Sequence, residues 1–205
     1  MRIDVADLTS TAAYRILTDA VIPRPVAWVS TLAPDGGRNL APFSFFQAIG
    51  GAPPTVIVSV ARHGDGDRKD SAANAMAAGE LVINIVSEDL LEQMNATSGD
   101  YPAGVDEFDV AGVTAAPCQH VAAPRVAESP VSFECRVSSS VAIGREPDDY
   151  VLLICEVVAF HVRDGLLQDG RIDPELLRPI CRLGGTGFAR LGEVLHVPRP
   201  RIPRS

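Results

Sequence analysis

PRPVAWVSTLAPDGGRNLAPFSFFQAIGGAPPTVIVSVARHGDGDRKDS, residues 23–71, is the stretch whose reading decides the fold. PVAWVST is β-branched and aromatic, PDGG supplies a turn, and NLAPFSFF returns as the partner strand, so the stretch predicts a hairpin. In the first strand Val26 and Trp28 share one face and Ala27 and Val29 the other. Neither face turns polar before Ser30 and Thr31, which predicts a strand covered on both sides. A third strand, TVIVSV, follows Pro53 and Pro54. Beyond it, Arg62, Arg68 and Lys69 stand beside Ser71 at the expected start of a helix. Positive side chains, a hydroxyl and the unpaired N–H groups of a helix N-terminus are the donors an anionic phosphate requires.

Composition narrows the partners. The formal net charge of −8 argues against a nucleic-acid or anionic-membrane partner, because both demand a basic surface. Any phosphate site is then a local positive patch in a negative field. Of the 18 basic residues, Lys69 is the single lysine, a compact mobile point charge suited to a phosphate. No stretch approaches the ~20 apolar residues of a membrane span, and the acidic opening MRIDVADLTS lacks a signal-peptide pattern. A cytoplasmic protein is expected. Cys118, Cys135, Cys155 and Cys181 are too widely spaced for a CxxC motif, and Cys135 and Cys155 read as small core residues.

Working outward, TSTAAYRILTDA reads as a short lead-in helix ended by IPRP. Asp70 is the expected N-cap of SAANAMAA, which stops at Gly79. LVINIV is a strand, and EDLLEQMNAT a helix that Ser87 caps. Residues 98–127 are loop-like, and their length predicts a functional or dimer-contacting excursion. In VSFECRVSSSVAI, Val131, Phe133, Cys135 and Val137 alternate with Ser132, Glu134, Arg136 and Ser138, predicting one buried face. A turn at GREPDD leads to YVLLICEVVAFHV, apolar on both faces and therefore central. A short strand at 166–168, a brief helix from Asp173 and Pro174, and a basic, proline-rich tail complete the chain. About seven antiparallel strands with short helices predict a barrel closed to remove its edges.

Several motifs fail. Asp65, Asp67 and Asp70 imitate half a calcium loop, but Asp70 stands where that loop requires Gly. No GxGxxG follows a strand, and His63, His120, His161 and His196 show no metal spacing, so they read as structural or surface residues.

Taken in order, the 23–71 stretch, YPAGVDEF (residues 101–108), RVAESPVSFEC (125–135) and RLGG (182–185) resemble the flavin reductase-like, FMN-binding split-barrel family over about residues 15–190. The resemblance implies a mainly β split barrel with short flanking helices, one domain over residues 1–205 with 1–14 and 193–205 as terminal extensions. It implies FMN as cofactor, held at the interface of a homodimer, with NADH or NADPH as a transient hydride donor to flavin N5. Electrons would pass to a small-molecule or protein acceptor. Onto this chain it maps Ser30, Thr31, Arg62, Lys69 and Ser71 to the FMN phosphate, and Asn39, Ala41, Ser44 and Phe45 to the ring. Phe46 is the other candidate there, but strand neighbours face opposite ways, so one of the two phenylalanines is core. Arg182 is expected to help shape the pocket. Gln47, Gly50 and Gly51, and Phe188 depart from the family pattern, which often has Asn, Ser and Tyr there. The competing reading is an FMN-binding electron carrier without NAD(P)H reductase activity; a third is an empty barrel used in assembly.

Overall fold

The computed structural model describes residues 1–63, 66–102, 104–146, 149–200 and 202. After a 3-10 turn (Val5–Asp7), Thr9 caps helix α1 (Ser10–Ala20) by accepting from the Ala12 N–H. Strands β1 (Arg24–Pro25), β2 (Ala27–Leu32), β3 (Arg38–Phe43), β4 (Phe46–Gly51) and β5 (Pro54–Ala61) follow, then α2 (Asp70–Ala78) and β6 (Glu80–Ile85). A 3-10 turn (Glu88–Leu90) runs into α3 (Leu91–Ala96), and α4 (Glu107–Ala111) and a two-residue ribbon, β7 (Ala115–Ala116) with β8 (Arg125–Val126), follow. The second half holds β9 (Val131–Ile143), β10 (Tyr150–Val162), β11 (Leu167–Gln168), β12 (Arg171–Ile172), α5 (Pro174–Leu177), β13 (Ile180–Arg182) and β14 (Phe188–Arg190). Among the described residues no helix is long and apolar enough to cross a membrane.

Seven strands form one antiparallel sheet in the order β3-β2-β6-β9-β10-β5-β4. Its two edge strands are consecutive in the chain, linked only by Ser44 and Phe45, and the Ser59 N–H reaches across to the Phe45 carbonyl at 2.8 Å. The sheet therefore curls until its ends meet at this corner, where the barrel is split. A separate three-stranded sheet, β1-β13-β14, stands beside the opening.

The interior is lined by residues such as Ala27, Val29, Val58, Leu81, Ile83 and Leu153, with Cys135 and Cys155 among them and Ala72 and Ala75 of α2 as a plug. Burial pushes the Cys155 thiol up to about 12, in keeping with an inert core residue. A second core covers the outer face of β2, where Trp28 packs with Leu40, Met94, Phe108 and Val126. Its indole N–H donates to Thr97 Oγ1 at 2.8 Å.

Four local expectations need correction. NLAPFSFF is not one strand: Pro42 and the bend at Ser44 and Phe45 end β3, and Phe46 opens β4 against β5. Lys69, not Asp70, occupies the N-cap position of α2, without a side-chain bond, whereas Gly79 at φ +71° ends that helix as expected. Ser87 likewise makes no cap bond, and its hydroxyl is buried without a partner. The polar face of β9 is buried at Ser132 and Glu134, because residues 108–126 fold back over their own sheet. Burial works to raise the Glu134 pKa, yet the Gln119 N–H, His161 and the His120 N–H hold it below the ordinary range. The GREPDD turn includes 147 and 148, and the calcium-like run includes Asp65; these lie outside the described residues.

Candidate functional site

The split opens into a cleft of about 650 Å³, within the range of ligand sites. Its walls are α1, the end of β3, the approach to α2, α3 and the loop between β13 and β14. Arg15, Arg24, Lys69 and Arg182 all line it, and no Asp or Glu does among the described residues. In a chain of net charge −8 this is a local positive field.

Arg24 organises these walls. It is 7% exposed; its guanidinium donates to the Thr18 and Val21 carbonyls at the C-terminal end of α1, and to the Leu183 carbonyl across the cleft. The carbonyl end of a helix carries partial negative charge, so the cation is matched there without a carboxylate. Its Nε also approaches Ser44 Oγ at 3.4 Å, and its guanidinium carbon lies 5.9 Å from the Phe45 ring centre. Arg182 pairs opposite Arg24 across β1 and β13 and stacks 4.6 Å over Phe188. Burial, and then the neighbouring Arg24, lower its pKa from the usual value.

Two recesses share residues with the cleft. One, of about 170 Å³, brings Ser44, Phe45, Ser59 and Tyr150 beside Lys69, with the Phe45 and Tyr150 rings stacked at 5.9 Å. Phe46 lies outside that recess and packs against the barrel core. The other, about 70 Å³, holds Asn39, Ala41, Lys69, Ser71 and Asp100 at the start of α2. There the Asn39 amide donates to Ser71 Oγ at 2.9 Å and to Thr31 Oγ1 at 3.3 Å. Lys69 Nζ is 3.6 Å from an exposed carboxylate, Asp100, outside hydrogen-bond reach.

Asn39, Ala41, Ser44, Phe45, Lys69, Ser71 and Arg182 thus surround connected space. Thr31 lies one layer behind, buried and bonded to Asn39 and Asn74. Ser30 is not brought there: strand alternation turns it to the opposite face, where it donates to the Pro124 carbonyl and accepts from Asn84. Nor is Arg62, whose guanidinium is engaged by Asp149, Glu146 and the Gly66 carbonyl. That contact with Asp149 raises the Arg62 pKa and, from the other side, lowers that of Asp149. Of the departures, Phe188 carries the Arg182 stack, and Gly50 and Gly51 sit on exposed β4, away from the cleft. Sequence reading missed Tyr14, Arg15, Thr18 and Arg24; the available signals were an arginine between two prolines and the shared helical face of Tyr14 and Thr18.

Residues 19–176 match the family model described as a flavin reductase like domain. The chain belongs to the flavin reductase-like family. An uncharacterised family relative from Halalkalibacterium halodurans is 38% identical, covering 100% of this chain and 99% of its own length. Nitrilotriacetate monooxygenase component B from Bacillus cereus superposes with a TM-score of 0.93 at 35% identity, over 96% of this chain and 98% of that one. A putative flavin reductase with split barrel domain from Shewanella frigidimarina shares the fold, with a TM-score of 0.84 at 21% identity over 98% and 100% of the two chains. In this flavin reductase-like chain, Tyr14, Arg15, Arg182 and Phe188 lie outside the matched residues, so part of the cleft is built from flanking segments.

Proposed function

We propose that this flavin reductase-like protein binds FMN in the cleft and works as an NAD(P)H-dependent oxidoreductase that passes electrons to a downstream acceptor. The observation that carries the reading is the cleft lining: four cations and no described carboxylate, beside Phe43 and Tyr14. A phosphate monoester offers acceptor oxygens only, so its partners must be donors. Lys69 and Ser71 offer such donors, and among the described residues Lys69 makes no close ion pair, although Asp70, Asp100 and Glu107 also line the recess that holds Ser71. The ring requires a flat apolar surface with backbone donors and acceptors beside it; the end of β3 with Phe43, Ser44 and Phe45 offers both.

When bound, FMN would supply hydride-accepting redox chemistry towards NADH or NADPH, which calls for positioning by the protein rather than a side-chain nucleophile. The chain's part is to hold and to screen. Arg24 keeps α1 and the 183–187 loop at a set separation, Lys69 and Ser71 anchor an anion, and the aromatic rings exclude water from one side. The likeness to one component of a monooxygenase supports a partner enzyme or a small oxidant as the acceptor class.

Purified protein is expected to take up FMN, seen in its visible absorbance, and anaerobic NADH or NADPH to bleach it. Flavin that stays bound but unbleached by either nucleotide would favour the electron-carrier reading. Failure to bind flavin at all would remove the cleft from consideration.

A further inference from the structure

On the outer face of the sheet, away from the cleft, three donors of different chemical type converge. Cys118 Sγ, a carboxylate oxygen of Glu134 and a ring nitrogen of His161 lie within 4.8 Å of one another. None of the three lines the cleft or its recesses. They come from three segments: the loop between β7 and β8, β9, and β10. Glu134 is fully buried, and His161 Nε2 is 2.6 Å from its Oε1. The Gln119 N–H donates to Oε1 at 3.0 Å and the His120 N–H to Oε2 at 2.6 Å, so the carboxylate also fastens the loop that carries Cys118.

We propose that Cys118, Glu134 and His161 form a binding site for a divalent transition-metal ion of the zinc type, separate from the flavin cleft. One sulfur, one nitrogen and one oxygen donor suit a borderline-soft ion; magnesium and calcium prefer oxygen alone. Bonds of about 2.0–2.3 Å place tetrahedral ligand atoms roughly 3.4–3.6 Å apart. Glu134 and His161 then part by about 1 Å and the Cys118 sulfur, within 4.8 Å of both, closes by at most about 1.4 Å, shifts available to a half-buried histidine and a loop residue. On binding, the Cys118 thiol proton passes to solvent and its sulfur bonds the metal, His161 binds through Nε2 as neutral imidazole, and water fills the fourth position. The Gln119 and His120 N–H groups orient the ligating carboxylate, the supporting contacts such sites use. The metal so held would staple residues 117–124 to the β9–β10 ribbon.

The test uses the full-length protein stripped by chelator and titrated with Co²⁺ alone, read as difference spectra against the metal-free sample, followed by Zn²⁺. A near-ultraviolet thiolate–cobalt band is expected, displaced by Zn²⁺, absent in Cys118→Ser, and requiring about 10-fold or more Co²⁺ in His161→Gln. Zn²⁺ should raise the Tm of the parent protein and not that of Cys118→Ser. No thiolate band in the parent, or an equal band in Cys118→Ser, overturns the site; unchanged Co²⁺ affinity in His161→Gln overturns the three-residue assignment. Glu134 is left intact because its burial makes misfolding of a variant hard to separate from loss of a ligand.

Discussion

Among the described residues the Lys69 ammonium has one loose ion-pair contact, to an exposed carboxylate, so its removal should cost the fold little. If it anchors the FMN phosphate, Lys69→Ala deletes a charge-assisted bond of roughly 1.5–3 kcal/mol, and FMN should bind about 10- to 100-fold more weakly. Riboflavin, which lacks the phosphate, should bind the variant as it binds the parent; equal FMN affinities in a fluorescence titration would remove Lys69 from the anchor. Arg24 is the opposite case, buried and committed to carbonyls at residues 18, 21 and 183. Lysine cannot reproduce that planar fork, so Arg24→Lys should lose about 1–3 kcal/mol in urea denaturation and weaken FMN binding even though Lys69 is untouched. The two residues also differ in how visible they are in the sequence. A single lysine among 18 basic residues advertises itself. Arg24 does not, because its acceptors are brought to it only by the end of α1 and by a loop about 160 positions away.

Helix α4 is tied to β3 by a buried acid, Glu107, which accepts the Leu40 N–H at 3.0 Å, and by Arg38, which pairs with Asp106 and Asp109. Burial raises its pKa above the usual 4.5, against the pull of that bond, with Asp70 and Asp106 adding to the rise. Between 4.5 and the raised value the folded state binds a proton that the unfolded chain releases, so protonation favours folding there. As pH falls from neutrality towards 4.5, the stability of the parent should rise relative to Glu107→Gln and then level off; a difference that stays flat across that window in chemical denaturation would contradict the assignment. Elements of this kind explain where legibility stopped. β2, β5, β6, β9 and β10 announce themselves by period or composition, and the structure has all five. α4 spans five residues, too few for a helical repeat to register, and β4 was hidden because FSFF runs apolar through the bend that separates two strands. The polar face of β9 looked solvent-exposed because period two records which residues share a face, not what later folds over it.

The whole molecule leaves an apolar groove of about 400 Å³ open beside the split, between Leu17 and Val21 of the α1 end and Phe45, Phe46, Ile57 and Leu152 of the barrel. Leu17 and Val21 are each more than half exposed, an arrangement that suits cover by a second copy. A homodimer in light scattering is therefore expected, with Leu17→Glu shifting it to monomer and lowering FMN affinity; a parent protein that is monomeric at micromolar concentration with FMN bound would end that expectation. The strand order also sets a timetable for folding. β2 with β3, β4 with β5, and β9 with β10 are neighbours in the chain, so each pair closes a short loop. β5 and β10, in contrast, join residues some ninety positions apart, with Val58 opposite Leu153. Loop-closure entropy delays that seam until the hairpins exist, and barrels of this contact order fold in about milliseconds to seconds. If closing that seam is the slow step, contacts across it are already made in the transition state. Val58→Ala, at a fully buried position, is then expected to slow the refolding limb of a stopped-flow chevron while leaving the unfolding limb nearly where it was, and a variant that only accelerates unfolding would place the seam after the barrier.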